Sequence, residues 1–125
     1  MTGLAKILLV DDDEDILLFY SEVLSELGHV EVTLASNGQE ALDRLSQSDF
    51  DLVITDICMP KISGIELVIQ IQKKSQHQPI LVLTGNQDTL SEARNLKVHG
   101  FLEKPCRVSQ MVDMVEVLLL NAKVG

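Results

Sequence analysis

Short apolar runs alternate with longer amphipathic segments five times along the chain. The apolar runs predict strands near residues 7–10, 32–35, 52–55, 80–83 and 101–103. Three of them are essentially unbroken rather than alternating. That is the pattern of strands buried on both faces, hence of a parallel sheet covered by helices. A first helix is predicted over 15–27, where Ile16, Leu17, Tyr20, Val23, Leu24 and Leu27 keep one face and Gly28 stops the run. A second spans 39–46 behind Asn37-Gly38. A third follows Ser63-Gly64 and carries Ile65, Val68, Ile69 and Ile71 toward Lys74. A fourth begins near Asp88 or Thr89 and ends at Gly100, and a fifth covers 108–122.

Strand–helix alternation with short connections implies right-handed crossovers and an open, doubly wound α/β sheet with helices on both faces. Ligands of such sheets sit outside the carboxyl ends of the strands. The predicted strands end in chemistry at those points: Asp11-Asp12-Asp13, Asp56, Thr84 and Lys104-Pro105. No internal repeat, low-complexity tract or Pro/Gly/Ser linker interrupts the pattern, so residues 1–125 read as one domain.

Composition narrows the classes. Hydrophobic residues make up 46% and aromatics 3%, so the core is aliphatic. The net charge of −9 repels phosphate backbones and argues against direct nucleic-acid binding. No apolar stretch reaches the length of a membrane span, and the N-terminus lacks the features of a signal peptide. A soluble, cytoplasmic protein is expected. Two cysteines, Cys58 and Cys106, are too few for a disulfide scaffold or a zinc cage. His29, His77 and His99 fall in predicted loops or helix ends and read as surface residues.

Three carboxylates brought to one sheet edge repel. A like-charged pair ~4 Å apart costs about 4 kcal/mol at an effective dielectric of roughly 20. A cation, or a retained proton, relieves such a cluster. Hard oxygen ligands favour magnesium, which takes one or two carboxylates and keeps positions for water and phosphate. Asp11 and Asp12 are therefore read as metal ligands, whereas Asp13, Glu14 and Asp15 read as charge at the start of the first helix. A carboxylate can also act as a nucleophile toward phosphorus and form an acyl phosphate. Asp56 is the candidate. Lys104 would pair with the phosphoryl oxygens, Thr84 would donate a hydrogen bond to one, and Gly85 would leave room for them.

With these residues in place, the chain resembles the receiver domain of two-component response regulators over nearly its whole length. The resemblance rests on Val10-Asp11-Asp12, Asp56 with Met59-Pro60 and Ser63-Gly64, Leu83-Thr84-Gly85 and Phe101-Leu102-Glu103-Lys104-Pro105. It implies the flavodoxin-like strand order 2-1-3-4-5. It also implies that Asp56 accepts a phosphoryl group from a histidine kinase or a histidine phosphotransfer domain. Magnesium would be held by Asp11, Asp12, Asp56 and the backbone carbonyl of Cys58. Thr84 and Phe101 would be the switch pair, unless Phe101 is permanent core. The domain would not be an enzyme beyond its own phosphorylation and dephosphorylation. The chain departs from the pattern at Gly85, where alanine is usual, at Ser63, where aspartate is frequent, and at Cys106, where a bulky apolar residue is common. Cys58 and Asn86 occupy the positions that tune phosphate lifetime in such domains.

Other readings compete. A phosphatase or phosphotransferase of the haloacid-dehalogenase type would need an acid two residues after the nucleophile, where this chain has Cys58. A flavin-binding domain would need a hydroxyl- and glycine-rich loop in place of Asp-Asp-Asp-Glu-Asp. A degenerate, binding-only receiver would lack acceptor residues that are all present here.

Periodicity leaves two apolar surfaces unassigned. Val108, Met111, Val112, Val115, Leu118 and Leu119 share one face of the last helix, and Val117 and Leu120 lie opposite. This second set is expected on a signalling face with the fourth helix and fifth strand, for self-association or an output partner. Leu18 and Phe19 lie off the core face of the first helix. They are either edge core or, as the resemblance implies for this helix, a surface for the phosphodonor.

Overall fold

The unbroken apolar runs become the inner strands of one parallel sheet. The computed structural model describes residues 3–57, 64–75, 77–85, 96–104 and 106–124, with the backbone alone for 122–124. Its strands are β1 (Ala5–Val10), β2 (Val30–Ala35), β3 (Leu52–Asp56), β4 (Ile80–Thr84) and β5 (Gly100–Glu103), in the order β2-β1-β3-β4-β5. All four pairings are parallel, with Val10 opposite Thr55, Asp56 opposite Leu83 and Thr84 opposite Glu103. This is the order that the resemblance implied. The described helices are α1 (Glu14–Ser25), α2 (Gly38–Gln47), α3 (Gly64–Lys74) and α4 (Val108–Val124).

Strand side chains alternate between two cores. Ile7, Leu9, Leu52, Ile54, Leu81 and Leu83 meet Leu17 and Leu24 of α1 and Met111, Val115, Leu118 and Leu119 of α4. Leu8, Val10, Val53, Ile80 and Val82 meet Ala41 of α2 and Leu67, Val68 and Ile71 of α3. Each large aliphatic side chain so buried contributes roughly 1.5–3 kcal/mol. With both faces covered, the central strands need apolar residues at every position, which explains the unbroken runs. β2 lies at the sheet edge, and its Val32, Thr33 and Leu34 are only half-buried.

Short polar side chains set where helices begin. Asp13 caps α1 by accepting from the Asp15 and Ile16 amides at 3.0 and 3.4 Å. Asn37 caps α2 by accepting from the Glu40 amide at 2.8 Å. Gly28, at φ +81°, turns the chain out of α1. The amides of Leu27 and Gly28 reach back to Leu24 and Ser25, so the regular helix ends before Leu27.

Two sequence expectations change. The fourth predicted helix falls mostly on 86–95, outside the described residues. Its predicted end is not helical: Leu96–His99 is irregular and Gly100 opens β5. A β-carbon at Gly100 would come within 3.1 Å of Leu81 Cδ1 and Met114 Sδ, so this glycine permits α4 to lie close on β5 rather than capping a helix. On α4, Val108 is exposed and the helix first meets the core at Met111. Val117 and Leu120 are exposed as expected.

Candidate phosphoryl and metal site

Parallel pairing brings the carboxyl ends of β1, β3, β4 and β5 to one edge and continues past each strand. The Asp11 amide donates to the Ala35 carbonyl at 3.1 Å, Ile57 to Leu83 at 3.1 Å and Lys104 to Thr84 at 2.7 Å. The backbones carrying Asp11, Asp56 and Lys104 are thus fixed by sheet bonds before any side chain is considered.

The side chains converge. Lys104 Nζ donates to Asp56 Oδ2 at 2.7 Å and to Asp11 Oδ2 at 3.0 Å. The second Asp11 oxygen accepts from the Asp13 amide at 2.9 Å. Asp11 and Asp56 are 2% and 8% exposed, whereas Asp12 sits at the open rim. Carboxylate oxygens of Asp11, Asp12 and Asp56 lie within 4.8 Å of one another. Two like charges at that separation repel by about 3.5 kcal/mol at an effective dielectric of roughly 20. Three carboxylates face one ammonium, so a hard, oxygen-seeking dication such as magnesium fits both the charge and the donor set. Burial, the largest influence on Asp11, raises its carboxyl above the ordinary value, and Asp56 adds to the rise. The Asp13 amide and Lys104 pull the other way. Burial acts to lower the Lys104 ammonium, but its bonds to Asp56 and Asp11 outweigh this and leave it above its ordinary value.

The junction after Asp56 is closely packed. Thr55 Oγ1 donates to the Asp56 carbonyl at 2.9 Å, and the Gly64 amide donates to the Ile57 carbonyl at 2.9 Å. A β-carbon at Gly64 would collide with the Asp56 carbonyl oxygen and Ile57 Cα. The start of α3 therefore presses directly on the peptide behind the carboxylate. Gly64 is part of the motif read from sequence, but its packing against this peptide is not encoded in any local pattern.

Thr84 ends β4 fully buried, and the exposed Gly85 follows it. Phe101 is half-buried on β5, opposite Val82, and packs with Leu96 and Val98 against the core on the α2–α3 side. Cys58, Ser63 and Asn86 lie outside the described residues. Leu18 and Phe19 are 57% and 52% exposed, which removes the edge-core alternative. The three histidines are exposed; His29 Nε2 pairs with Glu116 at 2.8 Å, and His99 Nδ1 accepts from the Ile80 amide at 3.2 Å. No helix among the described residues is long and apolar enough to cross a membrane. Tyr20, read from sequence on the core face of α1, is half-buried against the core cluster that Cys106 also packs on, a placement of Cys106 that sequence reasoning missed.

Known proteins are similar to this chain in sequence and in fold. The family model described as "Response regulator receiver domain" matches residues 7–116. The chain is 30% identical over 115 residues to the chemotaxis protein CheY of Pseudomonas aeruginosa, covering 89% of this chain and 93% of that protein. It is 34% identical over 118 residues to a CpxR homolog, a transcriptional regulatory protein of Haemophilus influenzae, covering 93% of this chain and 51% of that protein. The chain thus spans about half the length of some relatives and nearly all of others. Among solved structures, the response regulator TrrA of Thermotoga maritima, in complex with Mg(2+)-BeF, superposes with a TM-score of 0.85 at 34% identity, covering 92% of this chain and 99% of that one. The sheet order, the converged acids and lysine, and these matches lead to one conclusion: the chain belongs to the receiver domain family of two-component response regulators.

Proposed function

We propose that the domain is a phosphoacceptor switch in which Asp56 takes a phosphoryl group from a phosphohistidine of a sensor kinase or phosphotransfer domain. The observation that carries this reading is the bridge from Lys104 to both Asp56 and Asp11, three residues from three strands meeting at one edge. A carboxylate oxygen of Asp56 attacks phosphorus. The new O–P bond forms as the N–P bond of the donor breaks, and the departing imidazole takes up a proton. Lys104 already lies 2.7 Å from Asp56, where it meets the phosphoryl oxygens once they arrive. Asp11, Asp12 and Asp56, with the Cys58 carbonyl, would hold magnesium, which would neutralise the charge gathering on the transferring group. Thr84 and Phe101 carry the response, Thr84 moving toward the phosphoryl oxygens and Phe101 filling the space left behind. The output leaves through β5, the neighbouring face of α4 and the segment before β5, toward a partner, an output domain or a second copy of the chain.

Incubation with acetyl phosphate tests this reading. Intact mass should rise by one phosphoryl group only when magnesium is present, and Asp56→Asn should abolish the gain. The chain has a single tyrosine, Tyr20, and no tryptophan, so a change of tyrosine emission on adding magnesium comes from that one residue. A mass gain in Asp56→Asn equal to wild type would overturn the assignment.

A further inference from the structure

We infer that Thr55 is a positioning residue for the phosphoryl site: its hydroxyl holds the peptide that follows Asp56 and so aims the Asp56 carboxylate at Lys104. This rests on the proposed role of Asp56 as the acceptor. Among the described residues, the buried polar or charged side chains are Asp11, Thr55, Asp56 and Thr84. Asp11, Asp56 and Thr84 already belong to the proposed site, and Thr55 does not. Its surroundings ask for an apolar residue instead. Side chains alternate along a strand, which puts Thr55 on the same face as Val53 and Ile57, and both of these belong to the core built with Leu67 and Val68 of α3. Valine matches threonine in shape and would bury there without polar cost, whereas a hydroxyl sealed from water needs an acceptor. Thr55 Oγ1 finds it in the Asp56 carbonyl, 2.9 Å away.

The bond acts where strand pairing gives out. β1 pairs with β3 as far as Val10 and Thr55, so Asp56 lies one residue past that pairing. On the β4 side, the Ile57 amide donates to the Leu83 carbonyl at 3.1 Å. The peptide between Asp56 and Ile57 is thus held at both ends, its N–H by Leu83 and its carbonyl by Thr55. Gly64 backs the same carbonyl oxygen, with no room between them for a β-carbon. The peptide before Asp56 is fixed in the strand, and the two peptides together set where the Asp56 β-carbon points. A loosened second peptide lets the carboxylate drift from Lys104 Nζ, which now stands 2.7 Å away. A packing role needs only the branched shape at position 55. A positioning role needs the hydroxyl.

Thr55→Val removes the hydroxyl and keeps the shape. Thr55→Ser keeps the hydroxyl and leaves a methyl-sized void. The urea midpoint should therefore fall further in Thr55→Ser than in Thr55→Val. Phosphoryl uptake from acetyl phosphate should show the opposite order. It should slow by about threefold to tenfold in Thr55→Val, the scale of one neutral hydrogen bond, and stay within about twofold of wild type in Thr55→Ser. In magnesium-free, unphosphorylated protein, the Asp56 carboxyl-carbon and Lys104 Nζ resonances should move in Thr55→Val and return toward wild type in Thr55→Ser. Slower uptake in Thr55→Ser than in Thr55→Val, or unmoved Asp56 and Lys104 resonances in Thr55→Val, would overturn the inference. The resonances are read without a phosphoryl donor. A wild-type protein that takes no phosphoryl group would therefore sink the reading of Asp56 as acceptor and leave this test standing.

Discussion

Gly64→Ala is the sharpest perturbation available, because one methyl group would enter a space that backbone already fills. The β-carbon would overlap the Asp56 carbonyl oxygen and Ile57 Cα, and neither belongs to a side chain that can swing away. Overpacking of this kind costs about 1–3 kcal/mol. The Gly64-to-Ile57 amide bond of 2.9 Å would stretch or break, adding about 0.5–1.5 kcal/mol. A total of about 1.5–4.5 kcal/mol, against an unfolding entropy of about 0.26 kcal/mol/K for 125 residues, lowers Tm by roughly 6–17 °C. Two control glycines calibrate the result. At Gly100 the crowding atoms are side-chain ends at 3.1–3.3 Å, so alanine should cost about 1 kcal/mol. At Gly85 a β-carbon meets, among the described residues, only Lys104 Cβ at 3.6 Å and the backbone is not left-handed, so alanine should be neutral or stabilise by about 0.4–1 kcal/mol. Urea unfolding at constant slope gives all three values. Phosphoryl uptake should fall in Gly64→Ala, because the peptide that must yield carries Asp56. A Gly64→Ala midpoint equal to wild type, or an order other than 64, 100, 85, would refute the reasoning.

Other outcomes follow from the same geometry. The folded-state pKa of Asp11 is raised, so the stability it contributes is present below the ordinary carboxylate value and lost as pH rises through the raised value. In magnesium-free buffer, Tm should therefore fall across that window, and Asp11→Asn should flatten the fall. Magnesium affinity, measured by Tyr20 emission, should rise across the same window, because the ion needs the charged carboxylate. Asn37→Ala removes the acceptor of the Glu40 amide and should cost about 1 kcal/mol in urea unfolding. Leu18→Ser with Phe19→Ser, both exposed, should change stability by no more than about 0.5 kcal/mol. Uptake from acetyl phosphate should be unchanged in that variant, and only transfer from a protein donor should weaken. Val117→Glu with Leu120→Glu should leave phosphorylation intact and weaken self-association or output contacts, as sedimentation of the phosphorylated protein would show.

The parts of the site legible in sequence were those that a strand end dictates. Unbroken runs give buried parallel strands, parallel strands give a common carboxyl edge, and Asp11, Asp56, Thr84 and Lys104 mark it. Helix starts were equally local, as Asp13 and Asn37 show. What was not legible depends on tertiary contact. Gly100 looks like a helix terminator in sequence, yet it serves the approach of α4 to β5. Val108 has the right phase for the core but precedes the first turn that touches it. Cys106 packs against the same core cluster as Tyr20 although the two are far apart in sequence, and no period or spacing announces it.

The central claim is that Asp56 becomes the acyl phosphate. Borohydride reduction of the protein, after exposure to acetyl phosphate and magnesium, converts such a group to homoserine, and peptide mass spectrometry then locates it. The account predicts homoserine at position 56 alone, absent without magnesium. Homoserine at position 11 or 12 instead, or at no position, would contradict it.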